Sequence, residues 1–188
     1  MKEGLVILFT DYFFNLYHGV PWGVYSVLIF VCCFGFLLIG LNNGVKKGLR
    51  AFFRLLLIEY IVLLFCSTAF FREINEIQKF EFRPFWSYLA IYEGKEELLP
   101  EIIMNVVVFI PVGFLLGCIS GKTRLRKVVL IGCGLSVLIE VLQFVFKLGL
   151  CEFDDVFHNT LGCLIGFGTY FLVRSKYRKF SSKRMSVL

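Results

Sequence analysis

The most prominent feature of the chain is a series of apolar blocks, each long enough to cross a bilayer. A transmembrane helix needs roughly 20 apolar residues, and backbone polar groups in lipid are satisfied only within helices or closed barrels. The pattern therefore predicts an all-α polytopic membrane bundle of about five transmembrane helices. Their predicted positions are about 22–41, 51–71, 102–120, 128–147 and 156–173.

Composition supports the same class of protein. Apolar residues make up 58% of the 188 residues, and the mean hydropathy is +0.79, which is unlike a soluble globular domain. A chain of this length requires only one domain, so residues 1–188 are predicted to form a single integral membrane domain. The segment before the first span is broken by Asp11, Asn15 and His18. It is expected to be an uncleaved, amphipathic interfacial segment.

Basic residues are concentrated in alternate connections between the predicted spans. Fourteen of the 20 lysines and arginines, and no acid, lie at 42–54, 121–127 and 174–188. The positive-inside rule makes these segments cytoplasmic, with the N-terminus out and the C-terminus in. The aromatic-rich loop 72–101 is then expected to rest on the outer interface. The net charge of +6 would favour anionic membrane lipids, and no nucleic-acid partner is predicted.

Seven cysteines are present, but they predict neither a disulfide framework nor a metal site. All except Cys151 fall within apolar blocks, where cysteine behaves as a small apolar residue. No pair has the spacing of zinc ligands. We therefore expect no bound metal and no cofactor.

Polar side chains inside the predicted spans are the candidates for function. Glu140 is the most informative, because an ionisable group within a span costs about 2.5–3.5 kcal/mol to insert. Gln143 lies on the same helix face, three residues further along. The predicted orientation places both in the outer half of span four and Asn105 near the outer mouth of span three. Asn105 and Gln143 also have plain structural interpretations, as a hydrogen bond between helices and as an interface residue.

Span five begins with DDVFHNTLG, residues 154–162, which is unusually polar for a membrane helix. Asp155 and Asn159 share one helix face, whereas Asp154 is offset from that face by about 100°. Asp154 is therefore predicted to be an N-cap of span five for which asparagine could substitute. Asp155 is predicted to be a site residue that needs its charge. His158 is interpreted as a residue that faces the headgroups.

Two small-residue motifs predict close helix packing. Gly113 and Gly117 form a GxxxG in span three, and Gly162 and Gly166 form another in span five. Small residues let helix backbones approach closely in membranes. These contacts would hold the polar residues of spans three, four and five together. Pro111 is expected to leave a carbonyl unpaired within span three.

Three segments resemble the sequence blocks of the VanZ-like family: NVVVFIPVGFLLG (105–117), IEVLQ (139–143) and DDVFHNTLGCLIG (154–166). The resemblance covers about residues 80–172. It implies a small, all-helical protein of the bacterial cytoplasmic membrane, and the namesake of the family confers low-level resistance to teicoplanin-type glycopeptides. The positions that match the family pattern are Asn105, Phe109, Pro111, Gly113, Glu140, Gln143, Asp154, Asp155, Asn159 and Gly162.

Two functions from different classes follow. In the favoured one, the chain is a non-enzymatic envelope factor. Its outer-leaflet polar site binds a lipid headgroup, a lipid-linked cell-wall precursor or glycopeptide, or a partner membrane protein. The candidate binding residues are Asn105, Glu140, Gln143, Asp154, Asp155 and Asn159.

The alternative is a membrane-embedded hydrolase or transferase that acts on a lipid-linked envelope substrate. Glu140 would serve as the general acid or base, and Asp155 is the second catalytic candidate. Asp154 and Asp155 would then hold a divalent cation such as Mg²⁺. The sequence offers no evident nucleophile and no arginine cluster for phosphate, which favours the envelope factor.

Overall fold

The computed structural model describes residues 20–43, 45–70, 74–119 and 123–185. The predicted amphipathic segment, residues 1–19, lies outside this part of the chain. The predicted all-α helix bundle is confirmed. Its helices are α1 (Trp22–Asn43), α2 (Val45–Phe65), α3 (Trp86–Tyr92), α4 (Leu98–Ile119), α5 (Leu125–Phe146) and α6 (Phe153–Met185). A π-helical turn at Cys66–Phe70 follows α2, and two short strands are β1 (Lys79–Glu81) and β2 (Leu150–Glu152).

Four of the described helices are long and apolar enough to cross a membrane, as expected for a multi-pass membrane protein. The qualifying segments are Trp22–Ile39, Leu98–Ile119, Leu125–Phe146 and Phe153–Tyr177. The predicted second span, 51–71, corresponds to α2 and the turn that follows it. Because α2 carries Arg50, Arg54 and Glu59, it is not among these four segments.

Helices α4 and α6 approach each other so closely that only glycine fits at their contact. A Cβ atom on Gly113 would overlap the carbonyl oxygen of Cys163. A Cβ atom on Gly162 or Gly166 would overlap a backbone carbonyl oxygen of α4, that of Val106 or Ile110 respectively. The two helices therefore meet backbone to backbone, as the GxxxG motifs predict.

Helix α4 continues through Pro111, and α2 packs beside it at that level. The hydroxyl of Tyr60 donates a hydrogen bond of 2.8 Å to the carbonyl of Val108, one turn before the proline. Neighbouring helices commonly satisfy backbone groups near a proline in a membrane. Apolar side chains fill the space around this contact, among them Leu64, Met104, Phe109, Val112, Ile139, Cys163 and Phe167.

One end of the bundle is covered by the segment that joins α2 to α4. Strand β1 pairs in parallel with β2, with Phe80 opposite Cys151 and Glu81 opposite Glu152. The backbone and side-chain N–H groups of Asn75 both donate to the carbonyl of Lys147, at 2.8 and 3.1 Å. We call this region, with α3 and the adjoining helix termini, the strand end. The described part of the loop predicted to rest on the membrane interface folds onto the bundle there.

Candidate functional site

The first contact of the site joins α4 to α6 at the strand end. The side-chain amide of Asn105 donates a hydrogen bond of 2.6 Å to Oδ1 of Asp155. The bond is short, as expected when the acceptor is an ionised carboxylate. Asn105 directly precedes Val106, whose carbonyl oxygen faces Gly162, and Asp155 lies about two turns before Gly162 in α6. Glycine packing therefore sets the spacing of this pair.

Helix α5 contributes one buried polar face to the site. Ser136, Glu140 and Gln143 follow a spacing of four and three residues, and their exposed fractions are 0%, 5% and 4%. Ser136 accepts a hydrogen bond of 2.8 Å from the side-chain amide of Asn159 on α6. Ser136 was not among the residues predicted from the sequence. Its position one turn before Glu140, on the same face, was the available signal.

Three helices bring five of the six predicted binding residues to one narrow cavity of about 50 Å³: Asn105, Glu140, Gln143, Asp155 and Asn159. Glu101 and Thr68, which the sequence did not single out, also line it. The cavity has room for a water molecule or a small cationic group. Only Asp154, among the predicted residues, is not part of its lining.

Two amide oxygens of residues that line this cavity lack a hydrogen-bond partner among the described residues. They are Oε1 of Gln143 and Oδ1 of Asn159, both in side chains with an exposed fraction of 4%. The nitrogen of each amide does have a partner: that of Gln143 donates to the carbonyl of Thr68, and that of Asn159 donates to the hydroxyl of Ser136. A buried polar atom without a partner is costly. The two oxygens thus mark a place where a hydrogen-bond donor would be stabilised.

Asp154 holds the short helix α3 instead of capping its own helix. Its Oδ1 accepts the backbone N–H of Phe85 at 2.5 Å, and its Oδ2 accepts the backbone N–H and the hydroxyl of Ser87, at 3.1 and 2.6 Å. Phe85 has a left-handed backbone, with φ of 62°, which is unusual for a bulky residue. The predicted cap of span five therefore accepts hydrogen bonds at the N-terminus of α3, and it holds Phe85 in its left-handed conformation.

Glu152 of β2 connects α3, which covers the strand end, to Glu140 in the cavity lining. Its carboxylate accepts a hydrogen bond of 3.0 Å from the indole N–H of Trp86, and its backbone N–H donates to Oε2 of Glu140 at 2.9 Å. Burial and, to a smaller extent, the nearby carboxylates, Glu101 first, together raise the pKa of Glu152 to about 7, against the lowering effect of the hydrogen bond from Trp86. Burial, with a smaller contribution from Glu140, also raises the pKa of the Cys151 thiol to about 11.

The raised pKa of Glu152 predicts a loss of stability as the pH rises. Between its ordinary pKa of 4.5 and about 7, the folded protein binds more protons than the unfolded chain. Stability is therefore fully present below pH 4.5 and decreases toward pH 7. We expect the emission of Trp86, measured in a Trp22→Phe background, to titrate with a midpoint near pH 7. In Glu152→Gln this titration should disappear. A midpoint near 4.5 would contradict the buried environment of Glu152.

The interpretation of His158 as a residue facing the headgroups is wrong. Its side chain is 1% exposed, and its Nε2 forms a hydrogen bond of 2.8 Å with the hydroxyl of Tyr88 on α3. Its Nδ1 has no partner among the described residues. Tyr88 and His158 thus form a second contact, beside Asp154, between α3 and α6.

The arrangement does not assemble the pair of aspartates required by the hydrolase hypothesis. Both oxygens of Asp154 accept hydrogen bonds from α3, whereas Asp155 points into the cavity beside Asn105. Within the described ranges, no group of three or more His, Cys, Asp or Glu side chains could hold a metal ion. The two aspartates thus make separate contacts, and only Asp155 lines the cavity.

Comparison with known proteins agrees with this architecture. The family model VanZ/LLP1 matches residues 51–174, which extends the similarity from the three motifs back into α2. Protein VanZ of Enterococcus faecium is 29% identical over 115 residues, which are 61% of this chain and 71% of that protein. No solved structure matches the chain. The chain belongs to the VanZ/LLP1 family.

Proposed function

We propose that the chain is an integral factor of the bacterial cell envelope that contributes to resistance against teicoplanin-type glycopeptides. It acts by binding a ligand in the cavity described above, which we call the strand-end cavity. The observation that carries the proposal is the convergence of Asn105, Glu140, Gln143, Asp155 and Asn159, from three helices, on one cavity. The link to resistance comes from membership of the VanZ/LLP1 family and from the resemblance to the VanZ-like family, whose namesake confers low-level resistance to teicoplanin-type glycopeptides.

The contacts of the acids favour binding over hydrolysis. Asp154 is fully used in holding α3, so it does not act with Asp155 on a cation. Glu140 accepts the backbone N–H of Glu152 at 2.9 Å, which fixes its carboxylate at the cavity wall. The ligand we propose is a group on a lipid headgroup, a lipid-linked wall precursor or a glycopeptide.

Glu140→Gln tests this function directly. Glutamine keeps an oxygen for the N–H of Glu152 but removes the charge, and a neutral side chain costs less to insert into the membrane. We expect normal membrane levels and loss of the teicoplanin protection, measured as the minimal inhibitory concentration in a susceptible host. Glu96→Gln, at an exposed position outside the cavity, is the matched control and should retain protection. Full protection by Glu140→Gln would refute the proposal.

The proposed orientation puts the strand end outside the cytoplasmic membrane, because the unopposed basic segments lie at the other helix ends. A cysteine scan in a background without native cysteines tests it. An impermeant maleimide should label Lys95→Cys in intact cells and should label Arg124→Cys only after permeabilisation. Both positions are exposed and lie at opposite ends of the bundle. The reverse labelling pattern would overturn the orientation.

A further inference from the structure

We infer that the strand-end cavity binds a primary ammonium group. The inference rests on the proposed function and names the chemical class of its ligand. It starts from two buried oxygens without a partner among the described residues, Oε1 of Gln143 and Oδ1 of Asn159. Each of these two residues is only 4% exposed. Such oxygens require a hydrogen-bond donor. The amide nitrogens of the same two side chains already donate to Thr68 and Ser136.

The charge of the lining decides between a neutral and a cationic donor. Glu101, Glu140 and Asp155 all line the cavity, and none of its twelve lining residues is a base. Carboxylates in a poorly hydrated site attract a positive charge far more strongly than in bulk water. A cationic donor therefore matches both the amide oxygens and the negative charge of the lining, whereas a neutral hydroxyl would match only the oxygens.

The volume and the arrangement of acceptors then select the type of cation. An ammonium group is compact and has three N–H donors and no acceptor. Its three donors equal in number two amide oxygens and one carboxylate of the lining, and its size is compatible with about 50 Å³. A guanidinium group is larger and planar and is suited to paired carboxylate oxygens. Ca²⁺ and Mg²⁺ take six or more oxygen ligands, and no group of three or more His, Cys, Asp or Glu side chains among the described residues is placed to hold a metal ion.

Binding can be measured on the full-length protein in detergent with butylammonium chloride as the probe. Tetramethylammonium chloride at the same ionic strength is the reference, because it has the charge but no N–H donor. We expect butylammonium to raise the melting temperature in a saturable manner and tetramethylammonium to leave it unchanged. Equal shifts with both salts, or no shift with either, would overturn the inference.

Two variants attribute the effect to the cavity. Asp155→Asn keeps the shape of the residue that contacts Asn105 and should weaken butylammonium binding at least tenfold. Gln143→Met removes one of the unpartnered oxygens without a change in charge, and it should weaken binding severalfold even if Asp155→Asn is poorly folded. Glu96→Gln should bind as the wild type does. Unchanged binding in both cavity variants would overturn the assignment.

The ammonium group could belong to a lipid headgroup or to an amine that arrives from water. Nanodiscs separate the two sources. If the ligand is a headgroup, discs of phosphatidylethanolamine should lower the apparent affinity for butylammonium at least threefold relative to discs of phosphatidylcholine. Equal affinity in the two lipids assigns the site to a water-borne amine.

Failure of this inference is distinguishable from failure of the proposed function. Loss of teicoplanin protection in Glu140→Gln, together with no selective butylammonium binding, would leave the function standing and reject the ammonium ligand. Selective binding that Asp155→Asn abolishes, together with full protection by the same variant in cells, would reject the function.

Discussion

Gly162→Ala and Gly166→Ala are each expected to destabilise the bundle by about 1–3 kcal/mol, the usual cost of overpacking, and to abolish teicoplanin protection. A methyl group at either position would overlap a backbone carbonyl oxygen of α4, that of Val106 or Ile110. Backbone atoms cannot rotate away as a flexible side chain does, so α4 and α6 must separate. Unfolding by SDS in mixed micelles would measure the loss of stability.

The effect on function follows from the position of this contact. Asp155 lies about two turns before Gly162 in α6, and its Oδ1 is 2.6 Å from the side-chain nitrogen of Asn105 on α4. A separation of the helix backbones by even half an ångström would lengthen this hydrogen bond and widen the cavity. Protection should therefore decline even in cells where membrane levels of the variant are maintained.

Gly168→Ala is the matched control, because it lies in the same helix and a Cβ atom there would meet nothing within 4 Å. Alanine favours helix over glycine by up to about 1 kcal/mol. This variant should be as stable as the wild type or slightly more stable, with full protection. Equal losses in Gly166→Ala and Gly168→Ala would indicate that helix propensity, and not the close contact, controls stability.

The helices and most of the cavity could be predicted from the sequence for one physical reason. In a membrane helix bundle, the position of a side chain is set mainly by the periodicity of its helix and by its depth in the membrane. Both can be derived from the sequence. Glu140 and Gln143 share a face because a helix repeats every 3.6 residues. The loop charges give the direction of each span, so residues such as Asn105 and Asn159 can be assigned to the same level before any contact is known.

The strand end could not be predicted in the same way. Strands of three residues and a helix of seven residues are too short to show a periodic pattern. Their contacts also join distant segments: Trp86 meets Glu152, and Ser87 meets Asp154, 66 and 67 residues apart. The aromatic residues there suggested a membrane interface, and several are indeed exposed, but the inward indole N–H of Trp86 has no sequence signature.

The paired aspartates illustrate both outcomes, and their substitutions are expected to separate stability from function. Asp155→Asn should leave the stability nearly unchanged, because an asparagine oxygen still accepts the hydrogen bond from Asn105. It removes the charge from the cavity, so teicoplanin protection should be lost. Susceptibility tests at matched membrane levels measure this difference.

Asp154→Asn should behave in the opposite manner, and the structure reverses the tolerance expected from a simple helix cap. Both carboxylate oxygens are in use, one by Phe85 and the other by Ser87, and asparagine has only one oxygen to offer. The loss of a buried hydrogen bond to a charged group costs about 1.5–3 kcal/mol. We expect lower stability in SDS and faster tryptic cleavage at Lys95 as α3 detaches.

The two variants together test whether Asp154 and Asp155 have separate roles, the first in holding α3 and the second in the cavity. If α3 serves as a cover whose hold depends on Asp154, then Asp154→Ser, which retains one short acceptor, should be no more stable than Asp154→Asn. Asp155→Asn should show wild-type cleavage at Lys95, because Asp155 accepts a hydrogen bond from α4 whereas Asp154 holds α3. Rapid cleavage in Asp155→Asn, or full stability in Asp154→Asn, would mean that the two carboxylates act as one structural cap. Asp155 would then have a structural role, and its charge would not be what binds the ligand of the cavity.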